Sequence, residues 1–425
     1  MNQITSVGID VSKGFSMVVI RQPGGVIVEP PFRVNHTFRE LNALVQRLHI
    51  LPGEIRIVME HTSCYWRPIG LTLVNAGFFV SIVNAMLIHD FHDNSIRRVK
   101  TDRADALKIA NYALTFWTEL KPYSPEDELR QLLKMQCRLY ERTLSTSVTL
   151  RNGLISLLDQ TFPEINRMFH PLVKQSNGHV KWVDFVKTYW HKEKIATMTE
   201  SRFMDSYRRW CKREHYQYYT SHARRIYGLA KETFASKPRS ESTRQLICQA
   251  VDSLNAVYEA LHQLRKEMLR LAQQLPEFEA VMSLPGAGNI TGPKLMGEIG
   301  DVRRFTSKRA LVAFARVDAM PYQSGIMDSH SRRMSKRGSP LLRKTLFQMC
   351  SICLQLSRVD DPVYLFMDRK RGEGKQFYVY MVAGAAKLFR MYYARAKSVF
   401  DADKEENKIS PLRFHHLPRG VVGCY

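Results

Sequence analysis

The sequence predicts an α/β layer at the N-terminus, a middle region of long helices, and a mostly α C-terminal part. Three observations predict it. Strand-like runs with turn residues between them fill the first 35 residues and then give way to alternating helical and extended patterns. Two leucine-rich periodic segments follow, each about as long as a coiled-coil arm. Beyond them, a glycine-rich turn leads into helical runs dense in Lys and Arg.

The N-terminal elements read in order. Ile4–Val11, Phe15–Arg21 and Val26–Val34 are strands, with Gly14 and Pro23-Gly24-Gly25 as turns. Phe38–Leu48 has helical apolar spacing, and Ile55–Glu60 is a strand rich in β-branched residues. Trp66–Asn75 is helical, Phe78–Val83 extended, and 87–94 and 102–118 helical. A three-stranded meander followed by alternating helices and strands is the order expected of an RNase H-like fold. From Pro125 to Thr161 the pattern is one long helix, closed by Phe162-Pro163. Ser242 to Gln274 is a second, closed by Leu275-Pro276; the pair forms an antiparallel hairpin, a dimerisation arm, or a plain helical linker.

Residues 164–241, between the long helices, form a basic insert rich in aromatics. Interleaved cations and rings suit backbone contact and base stacking, but most of these aromatics read as a small helical core. The cluster Arg208, Arg209, Lys212 and Arg213 reads as nucleic-acid-binding.

Composition narrows the function classes. Lys+Arg 63 against Asp+Glu 40 gives +23 over 425 residues, an excess that attracts polyanions. Nucleic acid fits better than a membrane surface, because no basic amphipathic anchor stands out and no apolar stretch reaches a membrane span of about 18 residues. Seven cysteines in a chain this long form no disulfide framework and suit a reducing cytosol. Cys350-Ser-Ile-Cys353 lacks a second metal-ligating pair and reads as two buried thiols on the helical run Leu341 to Leu356.

Four acids stand out against the basic background. Asp10 lies in the strand-like run Val7-Gly-Ile-Asp10, Glu60 ends the run Ile55-Arg-Ile-Val-Met-Glu60, and Asp102 and Asp105 sit three apart in Thr101-Asp102-Arg-Ala-Asp105. A carboxylate at a strand end costs desolvation energy unless a cation neutralises it. Paired divalent ions about 3.5–4 Å apart do so in phosphoryl-transfer sites. The bland alternatives are a helix start for Asp102 and Asp105, a turn residue for Asp10 and a surface ion pair for Glu60.

The C-terminal part adds further motifs. Leu284-Pro-Gly286-Ala-Gly288 reads as a helix-hairpin-helix turn, with both glycines in the turn and the next helix offering N–H groups to a phosphate. Eleven Lys/Arg against two acids lie between Arg303 and Lys344, among them Arg332, Arg333, Lys336 and Arg337. Ser324, before Gly325, is by default a turn residue; beside these cations it becomes a candidate nucleophile. No GxSxG elbow or protease-like triad is present, which argues against an acyl hydrolase.

Together these blocks resemble the DEDD-type insertion-sequence transposases, the bridge-RNA-guided recombinases related to the Piv DNA invertase. The matching segments are Gly8-Ile-Asp10-Val-Ser-Lys, Glu60, Lys100-Thr-Asp102-Arg-Ala-Asp105-Ala, Leu284-Pro-Gly-Ala-Gly, Glu298-Ile-Gly-Asp301, Ser324-Gly325 and Ser335-Lys-Arg-Gly338. They cover roughly 1–160 and 245–395. Two departures are Arg316-Val-Asp318 after an Ala-Phe-Ala strand, and the length of the 164–241 insert.

The resemblance implies a RuvC-like domain over 1–122 with Asp10, Glu60, Asp102 and Asp105 as ligands of Mg2+, two ions per site. It implies coiled-coil helices over 123–275, a C-terminal transposase domain over 276–400 with Ser324 as nucleophile, and a tail from 401 to 425. Its partners would be donor and target DNA, a noncoding guide RNA and further copies of the chain as a dimer or tetramer. The site would combine the metal domain of one protomer with the serine domain of another, in the bacterial cytoplasm at the nucleoid. A DNA invertase, a junction resolvase without serine chemistry, and a non-catalytic nucleic-acid binder are the competing expectations.

Overall fold

A computed structural model of the chain describes residues 3–61, 63–91, 101–123, 127–169, 176–317, 323–324, 327–328, 334 and 338–409, with backbone alone at 323–324, 327–328 and 403–409. The chain divides into two compact units, Met1–Pro125 and Glu126–Tyr425.

The first unit is a five-stranded mixed sheet with helices. Its strands are β1 (Ile4–Ser12), β2 (Phe15–Arg21), β3 (Ile27–Asn35), β4 (Glu54–Glu60) and β5 (Phe79–Val83), and its helices α1 (Phe38–His49), α2 (Arg67–Asn75), α3 (Ala85–Asp90) and α4 (Asp102–Thr115). The order across the sheet is β3-β2-β1-β4-β5. β1, β2 and β3 are antiparallel neighbours, and β1–β4 and β4–β5 are parallel. Gly14, at φ +84°, turns β1 into β2. β3 is an edge, and Pro30 and Pro31 deny it donors for further pairing.

Period-two alternation gives the sheet its two faces. Val7, Ile9 and Val11 of β1 join Ile57 and Met59 of β4 in a core with Leu41, Leu44, Leu48, Ile69 and Leu73 of α1 and α2. The intervening residues face the other way, where Val58 packs with Ile109 and Ala113, and Val19 with Ala106 and Ala110. Asp10 and Glu60 fall in this second set, on the α4 face.

The second unit is almost wholly helical. α5 (Glu128–Thr161) is followed by α6 (Lys181–Thr188), α7 (Glu193–Ala196), α8 (Glu200–Arg213), α9 (Thr220–Glu232) and α10 (Glu241–Gln273). α5 and α10 pack along each other. Then come α11 (Phe278–Met282), α12 (Thr291–Ile299), α13 (Lys308–Ala315), a short antiparallel pair β6 (Gln323–Ser324) and β7 (Met327–Asp328), α14 (Pro340–Leu356), α15 (Pro362–Gly372) and α16 (Phe377–Ile409). Two cores serve this unit. In one, Leu154, Leu158, Trp182, Phe185, Phe203, Tyr207 and Trp210 pack with Val251 and Leu254. In the other, Leu133 and Cys137 of α5 pack with α12, α14 and α16.

Two sequence expectations are corrected. The Ala-Phe-Ala segment is helical, not a strand: the Ser307 hydroxyl caps α13 by accepting from the Ala310 N–H at 3.2 Å, and Leu311, Val312 and Ala315 are buried at helical spacing. Arg316 ends it in the left-handed region at φ +53°. Gly288 is not a positive-φ turn residue, and a Cβ there would meet nothing nearer than 3.9 Å. Gly286 alone demands glycine, since its φ is +71° and a Cβ would lie 2.5 Å from the Met349 carbonyl oxygen. The rings of α6 and α8 are stacked inside the insert's core, as the sequence reading gave for most of its aromatics.

Candidate functional site

The acidic quartet is assembled from three elements. Parallel register pairs Ile9 with Met59, which puts Asp10 and Glu60 at the adjoining ends of two central strands. α4 then crosses β1 in close contact. A Cβ at Gly8 would lie 2.4 Å from both the Ala106 carbonyl oxygen and the Ala110 nitrogen, and Ala106, Ala110 and Ala113 keep the facing side of the helix small. Thr101 caps α4, its hydroxyl accepting from the Ala104 N–H at 3.2 Å, so that Asp102 and Asp105 occupy the first turn.

Electrostatics bring the four together. The Asp10 carboxyl is raised to about 6, first by burial and then by repulsion from Asp105, Asp102 and Glu60, against a lowering hydrogen bond from the Val11 backbone. Glu60 is also raised, by burial and by Asp105, while Lys108 opposes the rise. Lys108 donates to the His89 carbonyl at 3.2 Å, tying α4 to α3 beside the acids.

Among the described residues, no three His, Cys, Asp or Glu form a ready metal-holding group. The donor set still fits a hard divalent cation: Asp10, Glu60, Asp102 and Asp105 offer only carboxylate oxygens, and their mutual repulsion is the charge such an ion would offset. A solvated helix start accounts for Asp102 and Asp105 but not for an Asp10 carboxyl raised to about 6 by burial and then by its acidic neighbours.

The second unit holds the remaining candidates. Ser324 ends β6, its backbone paired with Met327. Arg332, Arg333, Lys336 and Arg337, and the Ser324 side chain, lie outside the described residues. Gly288, Ile290 and Thr291, at the start of α12, line a cavity of about 990 Å³ with Arg265, Arg343 and Lys344. Arg208, Arg209, Lys212 and Arg213 all project from the exposed side of α8. Arg208 lies 3.7 Å from Asp205 and Arg213 2.7 Å from Glu214, so part of that charge is already answered. Cys350 and Cys353 are buried free thiols, Cys350 pushed up to about 12 by burial, as the sequence reading expected.

Sequence reasoning missed the polar groups buried beneath these surfaces. Arg130 and Glu277, 3% and 0% exposed, form a two-pronged ion pair linking α5 to the start of α11. Lys294 of α12 pairs with Glu141, which also accepts from Lys344 at 2.6 Å. Glu298 accepts from Arg138 Nε at 2.8 Å and from the Ser339 hydroxyl at 2.8 Å. The partners are separated by up to 203 residues, so no local pattern announces them.

Comparison with known proteins adds the following. Residues 7–163 match a family of DEDD-type IS110 elements described as "Transposase", and 278–364 match "Transposase IS116/IS110/IS902 family". The pilin gene-inverting protein of Moraxella bovis is 22% identical over 358 residues, covering 84% of each chain. The insertion element IS110 43.6 kDa protein of Streptomyces coelicolor is 21% identical over 336 residues, 79% of this chain and 80% of that one. Thermus thermophilus RuvC in complex with a Holliday junction aligns with 28% of this chain and 99% of its own, at 14% identity and a TM-score of 0.23. Among the described residues no helix is long and apolar enough to cross a membrane.

Proposed function

This chain belongs to the IS110 family of transposases, and we propose that within its DNA transposase activity the acidic quartet of the first unit and Ser324 of the second divide the chemistry. Asp10, Glu60, Asp102 and Asp105 hold divalent cations, Mg2+ in the simplest case. Bound there, such ions supply Lewis acidity to a phosphodiester. The observation that carries this reading is the Asp10 carboxyl, lifted to about 6 by burial and by the three other acids.

The protein's own groups do the rest. The two strand ends fix Asp10 and Glu60, and the close seat of α4 on Gly8 fixes Asp102 and Asp105 against them. Ser324 Oγ attacks a backbone phosphorus. The Oγ–P bond forms as a P–O bond of the DNA breaks, and the serine proton leaves with the departing oxygen. Attack by a strand hydroxyl on the serine ester then rejoins DNA and restores the serine. Arg332, Arg333, Lys336 and Arg337 offset the charge on the phosphorane-like state, while Gly286, Gly288 and the exposed cations of α8 hold nucleic acid nearby.

In this reading residues 1–122 are the metal domain, 123–275 the helical arm and 276–400 the serine domain, working as a dimer or tetramer with a noncoding guide RNA that pairs with donor and target DNA. The 164–241 insert extends nucleic-acid or protomer contacts. A second reading, DNA inversion, draws support from the likeness to the pilin gene-inverting protein.

Denaturing electrophoresis of protein incubated with Mg2+, the guide RNA and DNA spanning the element junction tests the proposal. A labelled protein–DNA adduct that disappears in Ser324→Ala supports serine chemistry. Full cleavage by Ser324→Ala without an adduct leaves a resolvase that uses the acidic face alone. A wild-type chain that binds DNA but neither cleaves nor joins it is a non-catalytic binder.

A further inference from the structure

The turn joining α15 to α16 places large apolar side chains in water. Phe377, Tyr378 and Val379 are 50%, 74% and 51% exposed, and every residue from Arg371 to Val379 is exposed. Single exposed apolar residues are ordinary, whereas a contiguous group marks a contact surface. Packing does not require them: Met381 and Ala385 dock α16 on the core, one turn and two turns further along. The Phe377 ring stands edge-on to Tyr378 at 5.3 Å and to Tyr380 at 5.4 Å, so the rings already hold one another in place.

The flanks are basic. Arg369, Lys370 and Arg371 close α15, and Lys375 precedes α16. Asp368 and Glu373 answer Arg371 at 2.6 Å and Lys370 at 2.7 Å. Arg369 lies 5.4 Å from the Phe366 ring, and Lys375 enters no ion pair among the described residues. Gly374, at φ +73°, reverses the chain, with the Lys375 N–H on the Lys370 carbonyl at 3.2 Å. The basic end of α15 is thereby folded against the first turn of α16, whose N–H groups add positive potential.

We propose that this turn binds single-stranded DNA: an unpaired base stacks on Tyr378 and Phe377, and the adjacent phosphate is held by Lys375 and the start of α16. The proposal rests on the reading above, in which cleavage and exchange expose unpaired strand. Charge selects this occupant: Arg369, Lys370, Arg371 and Lys375 stand against only Asp368 and Glu373, so the turn keeps a net positive charge complementary to a strand's phosphates.

The test uses the full chain, fluorescence anisotropy with a twelve-nucleotide oligothymidylate, and photocrosslinking with the same strand carrying 5-iododeoxyuridine. Expected are crosslinks at Phe377 or Tyr378 and a weakening of about tenfold or more in Phe377→Ala/Tyr378→Ala, given the usual strength of base–aromatic stacking. Tyr378→Phe retains affinity, and Lys375→Gln lowers the slope of log affinity against log salt by about 0.7. Blunt duplex binding changes less than twofold in the double variant. Unchanged oligothymidylate affinity in the double variant overturns the proposal. So does loss of self-association by sedimentation with DNA affinity intact, which assigns the turn to a second copy, and so does a preference of this turn for oligouridylate, which assigns it to RNA. These failures leave the Asp10 and Ser324 chemistry standing. A wild-type chain that binds neither oligothymidylate nor duplex defeats both readings.

Discussion

Gly8 of β1 and Ala110 of α4 are in near-backbone contact: a Cβ on Gly8 would sit 2.4 Å from the Ala110 nitrogen. That contact sets the distance at which a helix carrying two acids approaches two strand ends carrying two more. Gly8→Ala therefore pushes α4 outward. We expect a loss of about 1–3 kcal/mol from overpacking, measured by urea denaturation of the first unit's transition, together with a fall in DNA cleavage of at least tenfold. Retained activity with α4 displaced would show that the spacing is not part of the chemistry.

Asp10 gives a stability prediction whose sign is fixed by its raised carboxyl. Folded, the group titrates near 6, against 3.8 for the ordinary aspartate. Between those values the unfolded chain binds fewer protons, so stability falls as pH rises through about 4 to 6. Above that window the ionised carboxylate costs on the order of 1–2 kcal/mol after allowance for solvent screening. Asp10→Asn should accordingly raise the metal-free melting temperature at pH 7.5, have little effect at pH 3.5, and abolish cleavage. A lower melting temperature at pH 7.5 would contradict this.

Arg130 and Glu277 make the second unit's most deeply buried ion pair among the described residues. Glu277→Ala strands a buried guanidinium and should cost about 3–5 kcal/mol in chemical denaturation. Replacing both residues, Arg130→Met with Glu277→Leu, should recover most of that loss, because the desolvation of both charges is removed as well. Equal losses in the single and double variants would assign the effect to packing alone.

How much of this was legible in the sequence follows from what each signal is made of. Periodicity located the sheet strands and the long helices to within a few residues, because alternation and the helical repeat are local. The rings of Trp182, Phe185, Tyr207 and Trp210 were readable as core for the same reason. Leu132, Met135 and Leu139 were not resolved as exposed, since apolar spacing marks a face without saying what covers it. Gly286 and Gly288 are alike as letters and separate only by φ and by the nearness of Met349. The Ala-Phe-Ala run is too short for its period to be decided, and the Ser307 cap is what makes it a helix. Asp10 and Glu60 stood out as acids on strands, but their shared face depends on parallel register, and the fit of α4 over Gly8 is a tertiary fact.

Calorimetric titration of Mg2+ into the metal-free chain at pH 6, repeated in buffers of different ionisation enthalpy, tests the central claim most directly. An Asp10 carboxyl titrating near 6 is about half protonated there. Wild-type protein should bind the ion and release about half a proton from Asp10, while Asp10→Asn and Asp105→Asn bind it far more weakly and Asp10→Asn releases about half a proton fewer. Binding of equal strength and equal proton release in all three proteins would contradict the account.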